Sequence, residues 1–84
     1  MLNGRYRFLR HIRSGEIYAV VLAEDGHVMA SSGVLERREV ARQFRTDVRA
    51  DGPDCERLNA ARSDYRILPP TQIELLRHRY GGSV

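Results

Sequence analysis

The sequence has 84 residues, a hydrophobic fraction of 42%, a charged fraction of 30% and a net charge of +3. This is the size of one domain, and a single cysteine excludes an intramolecular disulfide. No apolar run reaches the length of a signal peptide or a membrane span. We therefore expect one small cytoplasmic domain over residues 1–84, with frayed ends at 1–4 and 81–84.

The basic residues are all arginine, and they are concentrated in the first part of the chain. Residues 1–49 contain nine arginines and six acidic residues, whereas residues 50–84 contain five of each. Any electrostatic binding surface is therefore expected on the first helix or on the sheet that precedes it.

The segment from Arg5 to Ser32 predicts three antiparallel strands joined by two-residue turns. Asp25-Gly26 is a strong hairpin signal, and Ser14-Gly15 is a weaker one. Counting outward from these turns predicts cross-strand pairs such as Phe8 with Val21, Tyr6 with Ala23, Val21 with Ala30, and Ala23 with Val28. This face is apolar except for Arg10, so we expect it to be the core face, packed by one long helix.

The opposite face of the predicted sheet carries an apolar patch with a rim of arginines and glutamates. Its members are Leu9, Tyr18, Val20, Leu22 and Met29. Such a patch is typical of a protein interface. The alternative is that the C-terminal third of the chain covers it, with a helix whose apolar side is Ile73, Leu76 and Tyr80. The sequence leaves both possibilities open.

A long helix is predicted from about Leu35 to Arg49, after a strand break at 31–33. Val40, Phe44 and Val48 recur at the spacing of one buried helical stripe. Four arginines recur on a different side of the same helix: Arg38, Arg42, Arg45 and Arg49. This predicts a basic ridge, which we interpret as a solvated side of the helix, with a surface for a phosphate-bearing or acidic partner as the alternative.

The C-terminal third predicts three short elements. A helix starts at Pro53 and buries Cys55 and Leu58. Residues 65–68 form a brief fourth strand or an extended connection. A last helix opens with a capping box over Thr71–Glu74 and ends at Gly81.

No arrangement of residues in the sequence predicts a catalytic or metal centre. The histidines and the cysteine do not fall at any standard metal-ligand spacing, and no glycine-rich phosphate loop follows a strand. We therefore expect a protein that is not an enzyme and binds no cofactor.

Residues 26–37, GHVMASSGVLER, resemble the YegP-like bacterial domain of unknown function. Asp25-Gly26 corresponds to the turn of that family, Ala30-Ser31-Ser32 to its strand end, and Arg37 to the lysine that leads its helix. The sequence departs from the pattern at Gly33 and Val34, and the resemblance covers about residues 18–48. It implies a strand-and-helix unit that pairs with a second copy, and it implies no catalytic residue.

Together these observations predict an α+β domain: a three-stranded meander, one long helix, short C-terminal helices and a possible fourth strand. The leading hypothesis for function is an interaction module that self-associates, as a homodimer, or docks a protein partner through a sheet face. One alternative is a non-specific nucleic-acid binder that uses the arginine ridge. Another is a small inhibitor or adaptor from a mobile element.

Overall fold

Four antiparallel strands form one sheet in the order β3-β2-β1-β4. The computed structural model describes residues 4–42, 48–50 and 52–81. The strands are β1 (Arg5–His11), β2 (Ile17–Leu22), β3 (Val28–Leu35) and β4 (Tyr65–Ile67). The helices are α1 (Arg37–Arg42), α2 (Pro53–Ala60) and α3 (Pro70–Leu76), with a 3₁₀ turn at Arg62–Asp64 and a π-helical extension at Arg77–Gly81. The predicted α+β class, with a meander and a brief fourth strand, is confirmed.

The first hairpin has a four-residue loop instead of the predicted two-residue turn. His11 N–H donates to the Glu16 carbonyl (2.8 Å), and Gly15 N–H donates to the His11 carbonyl (2.9 Å). Gly15 has φ +78°, a left-handed conformation that glycine adopts without steric cost. Ile12 does not pair across this hairpin, because its N–H donates to the Asp64 carbonyl (2.9 Å).

The longer loop shifts the β1–β2 register by two residues. Phe8 lies opposite Ala19 and Tyr6 lies opposite Val21, so the predicted Phe8–Val21 and Tyr6–Ala23 pairs are wrong. Side chains along a strand alternate between the two faces, so a shift of two residues leaves each one on its predicted face. The buried clusters confirm those faces for β1 and β2.

The second hairpin has a three-residue loop, residues 24–26, with Gly26 at φ +90°. The predicted pairing of Val21 with Ala30 is confirmed, but the register shifts beside it, so that Leu22 lies opposite Val28. Val28 therefore packs on the face of Leu22. Its predicted place on the Phe8 face, opposite Ala23, is wrong because the shift adds one residue to β3.

Strand β3 continues through the predicted break at 31–33. A second register shift lies between Tyr18 and Val20, where the Ala19 N–H donates to the hydroxyl of Ser32 (2.9 Å). Ser32 is buried, and its hydroxyl donates in turn to the Gly33 carbonyl (2.7 Å). The serine hydroxyl takes the place of a strand carbonyl, so the strand continues across the irregularity.

Helices cover both faces of the sheet. Helix α2 covers the face of Leu9, Tyr18, Val20, Leu22 and Val28 with Cys55 and Leu58. The other face, of Phe8, Ile17 and Ala19, is covered by Val40 of α1 together with Leu68, Ile73 and Leu76. The prediction that α2 buries Cys55 and Leu58 is confirmed. The prediction that Ile73 and Leu76 cover the Leu9 face is wrong, because α3 packs beside α1 on the opposite face.

The outer edge of β3 is closed by two contacts from the rest of the chain. Asn59 of α2 accepts a hydrogen bond from Val28 N–H (2.7 Å) and donates to the Val28 carbonyl (2.9 Å). Further along the strand, Ser31 and Arg49 exchange both backbone hydrogen bonds, each 3.0 Å. The chain at Arg49 is therefore extended, and the predicted helix does not reach it.

The start of α3 differs from the predicted capping box. Pro69 precedes the helix with φ −72° and ψ 152°, Pro70 is its first residue, and Thr71 lies inside it. No side chain caps this terminus. Proline at this position is suited to a helix start because it has no N–H to leave unpaired.

Candidate interaction groove

The exposed apolar side chains are concentrated along one side of the fold. Among the described residues, six large apolar side chains are exposed, and four of them lie where β1, β4 and α3 meet. These four are Tyr6, Ile12, Ile67 and Leu75. The other two, Val34 and Tyr80, do not line these depressions. This concentration distinguishes one surface of the molecule from the scattered exposed residues of an ordinary surface.

Three adjoining depressions follow this side and share Leu68 as a lining residue. The first has a volume of about 480 Å³ and is lined by Tyr6, Phe8, Ile67, Pro70 and Ile73. The second, about 400 Å³, includes Ile12 and Arg66, and the third, about 240 Å³, includes Arg37 and Leu75. We call this continuous surface the β4–α3 groove.

The sequence Leu68-Pro69-Pro70 creates the groove. Leu68 N–H donates to the Phe8 carbonyl (2.8 Å), which extends the β4 ladder by one residue. Pro69 has no N–H, so the ladder ends there, and Pro70 begins α3 at once. The helix consequently lies beside the short strand, and the depression remains between them.

Four arginines line the groove, and we call them the rim arginines: Arg7, Arg10, Arg37 and Arg66. All four are exposed. The ion pairs among the described residues are Asp25 with His27, Asp54 with Arg57, and Glu74 with Arg77. None of them includes a rim arginine, so the groove combines apolar side chains with arginines that no described acidic residue neutralises.

The residues predicted as an interface on the second sheet face lie elsewhere. Leu9, Tyr18, Val20 and Leu22 are 0–2% exposed beneath α2, and Met29 is half-buried. These four are not available on the surface of the folded chain, so the prediction of an exposed interface there is wrong. Of the two possibilities that the sequence left open, the structure supports coverage, with α2 as the covering helix.

The predicted arginine ridge is not assembled on one helix. Arg38 and Arg42 are exposed on α1, whereas Arg49 lies in the extended bridge to Ser31. Arg45 and Phe44 fall outside the described residues. The ridge prediction is therefore wrong, because a helix that ends before Arg49 cannot hold all four arginines on one side.

Tyr18 has a polar partner at the buried face. Its hydroxyl accepts a hydrogen bond from Arg57 Nη2 (2.9 Å), and the guanidinium lies 5.7 Å from the ring centroid. Burial raises the pKa of Tyr18 above its usual value of 10.0, while the nearby Arg57 charge opposes that rise. The residue is a neutral, buried hydrogen-bond acceptor at neutral pH.

Within the part of the chain that the structure describes, no three histidine, cysteine or acidic residues come together as a metal site. No described helix is long and apolar enough to cross a membrane.

The groove was missed at the level of sequence, although one signal pointed to it. Arg10 was the only charged residue on the predicted core face. It lines two of the three depressions, where α3 leaves the sheet uncovered. A charged residue on an apolar strand face can mark the place where that face reaches solvent.

The fold and the groove define a small α+β domain with an arginine-lined apolar groove on one side. Comparison with known proteins gives no match among family models, curated proteins or solved structures. The resemblance to the YegP-like domain stays a prediction.

Proposed function

We propose that this chain is a non-enzymatic interaction module that docks a segment of a partner protein in the β4–α3 groove. The observation that carries the proposal is the combination of exposed Ile67 and Leu75 with arginines that form no ion pair with a described acidic residue. Arginine and aromatic side chains are enriched at the centres of protein interfaces, and Tyr6 adds an exposed aromatic ring to this groove.

The charge of the groove favours a partner that carries acidic residues among its apolar ones. Four rim arginines without described acidic partners repel a basic partner and attract an acidic one. A second copy of this chain is a less favourable occupant of the same groove. A symmetric dimer places the same patch on both sides, so the rim arginines of the two copies face each other.

A nucleic acid is also attracted by arginines, but the composition of the groove favours a protein. Three of the four exposed apolar side chains, Ile12, Ile67 and Leu75, are aliphatic, so Tyr6 is the one exposed ring among them on which a base can stack. Burial of a peptide's apolar side chains against these residues stabilises the complex by about 25 cal/mol per Å² of apolar surface removed from water.

Selection from a displayed library of random peptides tests this proposal. We expect the selected peptides to share apolar residues flanked by aspartate or glutamate, and Ile67→Asp or Leu75→Asp to abolish their binding in calorimetry. Val34→Asp is the matched control, since the exposure of Val34 (53%) lies between those of Ile67 (46%) and Leu75 (68%) and Val34 does not line the groove. Peptides that bind Ile67→Asp as tightly as the wild type contradict the proposal.

Two further measurements separate the other occupants. If light scattering shows a dimer that becomes a monomer in Ile67→Asp, the groove is assigned to a second copy. In the second measurement, the protein is titrated with labelled oligonucleotides. Binding that is weakened by Ile67→Asp and by added salt assigns the groove to nucleic acid. Either result replaces the acidic peptide as the occupant.

A further inference from the structure

Two rim arginines converge at the end of the groove, over the first hairpin loop. A methyl group on Gly15 would lie 3.2 Å from Arg37 Nη2 and 3.9 Å from both Nε and Nη2 of Arg10. The two guanidinium groups therefore approach the same point from β1 and from α1. Gly15 has no side chain to occupy the space between them.

No described carboxylate balances this pair. Glu16, the nearest acidic residue in sequence, has its carboxylate near the Ser14 hydroxyl (3.5 Å), and Glu39 accepts from the Glu36 backbone N–H (2.9 Å). Neither forms an ion pair with Arg10 or Arg37. The two guanidinium charges repel each other at this separation, and an anion between them turns the repulsion into two attractions.

We propose that Arg10 and Arg37 bind a phosphate monoester dianion. The charge decides the chemical class: a phosphate monoester carries about −1.5 to −2 at pH 7 and balances two guanidiniums, whereas one carboxylate leaves a net positive charge. Its three acceptor oxygens also suit two planar guanidinium donors better than one carboxylate does. Gln72 lines the same depression and supplies a further amide donor.

This site deepens the proposed function, on which it rests for the source of the phosphate. The depression beside Arg37 continues into the rest of the groove through Arg10, Leu68 and Gln72. A phosphorylated side chain on a docked segment reaches the two arginines while its apolar neighbours contact Ile67. A free phosphate compound offers the same chemistry without the segment.

Titration of the full chain with inorganic phosphate tests the site independently of any peptide. The Nε–H resonances of Arg10 and Arg37 are expected to shift saturably in NMR spectra at about pH 7.5, and more than with chloride at the same ionic strength. Arg37→Gln weakens phosphate binding about tenfold or more, the loss that one charge-assisted hydrogen bond represents. Arg38→Gln makes the same charge change one residue away on α1 and leaves binding unchanged.

The outcomes separate this site from the proposed function. Shifts no larger than with chloride, or equal affinity in Arg37→Gln and the wild type, overturn the phosphate site. Phosphate binding that depends on Arg37 supports it even if no peptide is selected. Where peptides are selected, a phosphoserine version of the peptide is compared with the unphosphorylated one. If phosphorylation raises the affinity for the wild type and not for Arg37→Gln, the docked segment is the source of the phosphate. If phosphorylation does not raise the affinity, the source is a free phosphate compound.

Discussion

Asn59 forms hydrogen bonds with both the N–H and the carbonyl of Val28, so a side chain on α2 pairs the backbone groups that a neighbouring strand would pair. Its side-chain oxygen accepts from Val28 N–H at 2.7 Å and its side-chain nitrogen donates to the Val28 carbonyl at 2.9 Å. The pair fixes α2 to the edge of the sheet while Leu58, one residue earlier, is buried in the core. Local hydrogen bonding and core packing thus position the same helix.

Asn59→Ala should lower the free energy of unfolding by about 1–3 kcal/mol, since two hydrogen bonds to the strand edge are lost. Asn59→Asp keeps the acceptor but turns a negatively charged oxygen toward the Val28 carbonyl, so its loss should be at least as large. Urea unfolding measures both. Glu56→Ala, at an exposed position of the same helix, is the control and should stay within about 0.5 kcal/mol of the wild type. Equal stability of Asn59→Ala and Glu56→Ala would show that the paired contact does not hold α2.

Leu22→Glu should prevent folding, because Leu22 is 2% exposed in the cluster under α2 and a charge there has no described partner. Circular dichroism and gel filtration report the loss of structure. Leu75→Glu makes the same change at a side chain that is 68% exposed and should leave the protein folded. A folded Leu22→Glu protein would mean that α2 does not cover this face.

Ser32→Ala should cost about 1–3 kcal/mol, because the Ala19 N–H that the hydroxyl accepts is left without its partner in a buried place. Ser31→Ala is the matched control. The Ser31 hydroxyl donates to the Ser32 carbonyl and accepts no described strand N–H, so its removal should cost less. Denaturation midpoints of the two variants compare them directly, and the reverse order would contradict the role given to Ser32.

Tyr18 should make stability fall at alkaline pH. Its pKa is raised by burial in the folded state, so the unfolded chain loses this proton first, near pH 10. The stability linked to the neutral phenol is therefore present below about pH 10 and is lost as pH rises through the folded pKa. Tyr18→Phe should show a shallower alkaline decline in urea midpoints, with Tyr80→Phe, at an exposed position, as the control. An unchanged decline in Tyr18→Phe would contradict this assignment.

The faces of the sheet were predictable from sequence, whereas the registers were not. Alternation fixes on which face Phe8 and Leu9 lie, whatever the length of the first loop. The loop length depends on Ile12 donating to Asp64, a contact between residues far apart in sequence. Val28 lies on the face opposite to the predicted one, because the second loop has three residues where two were predicted. A register shift of one residue turns a side chain to the other face of the sheet.

The candidate site was less predictable than the fold, because it depends on where the helices pack. The sequence shows that Ile73 and Leu76 form one apolar helical stripe, and the stripe fits either face of the sheet. The turn at Pro69 and Pro70 sends α3 to the Phe8 face. With α3 on the Phe8 face, the Leu9 face is covered by α2, and Ile67 and Arg66 stay exposed.

The closed edge of β3 also bears on how the protein behaves at high concentration. An exposed strand edge is a template on which other chains add strands and aggregate. Here Asn59 and Arg49 occupy the hydrogen-bonding positions of Val28 and Ser31 on one edge, and the opposite edge strand has three residues and is followed, after Leu68, by two prolines. Both edges of the sheet are therefore partly closed to a further strand, which favours a protein that resists fibril formation at high concentration.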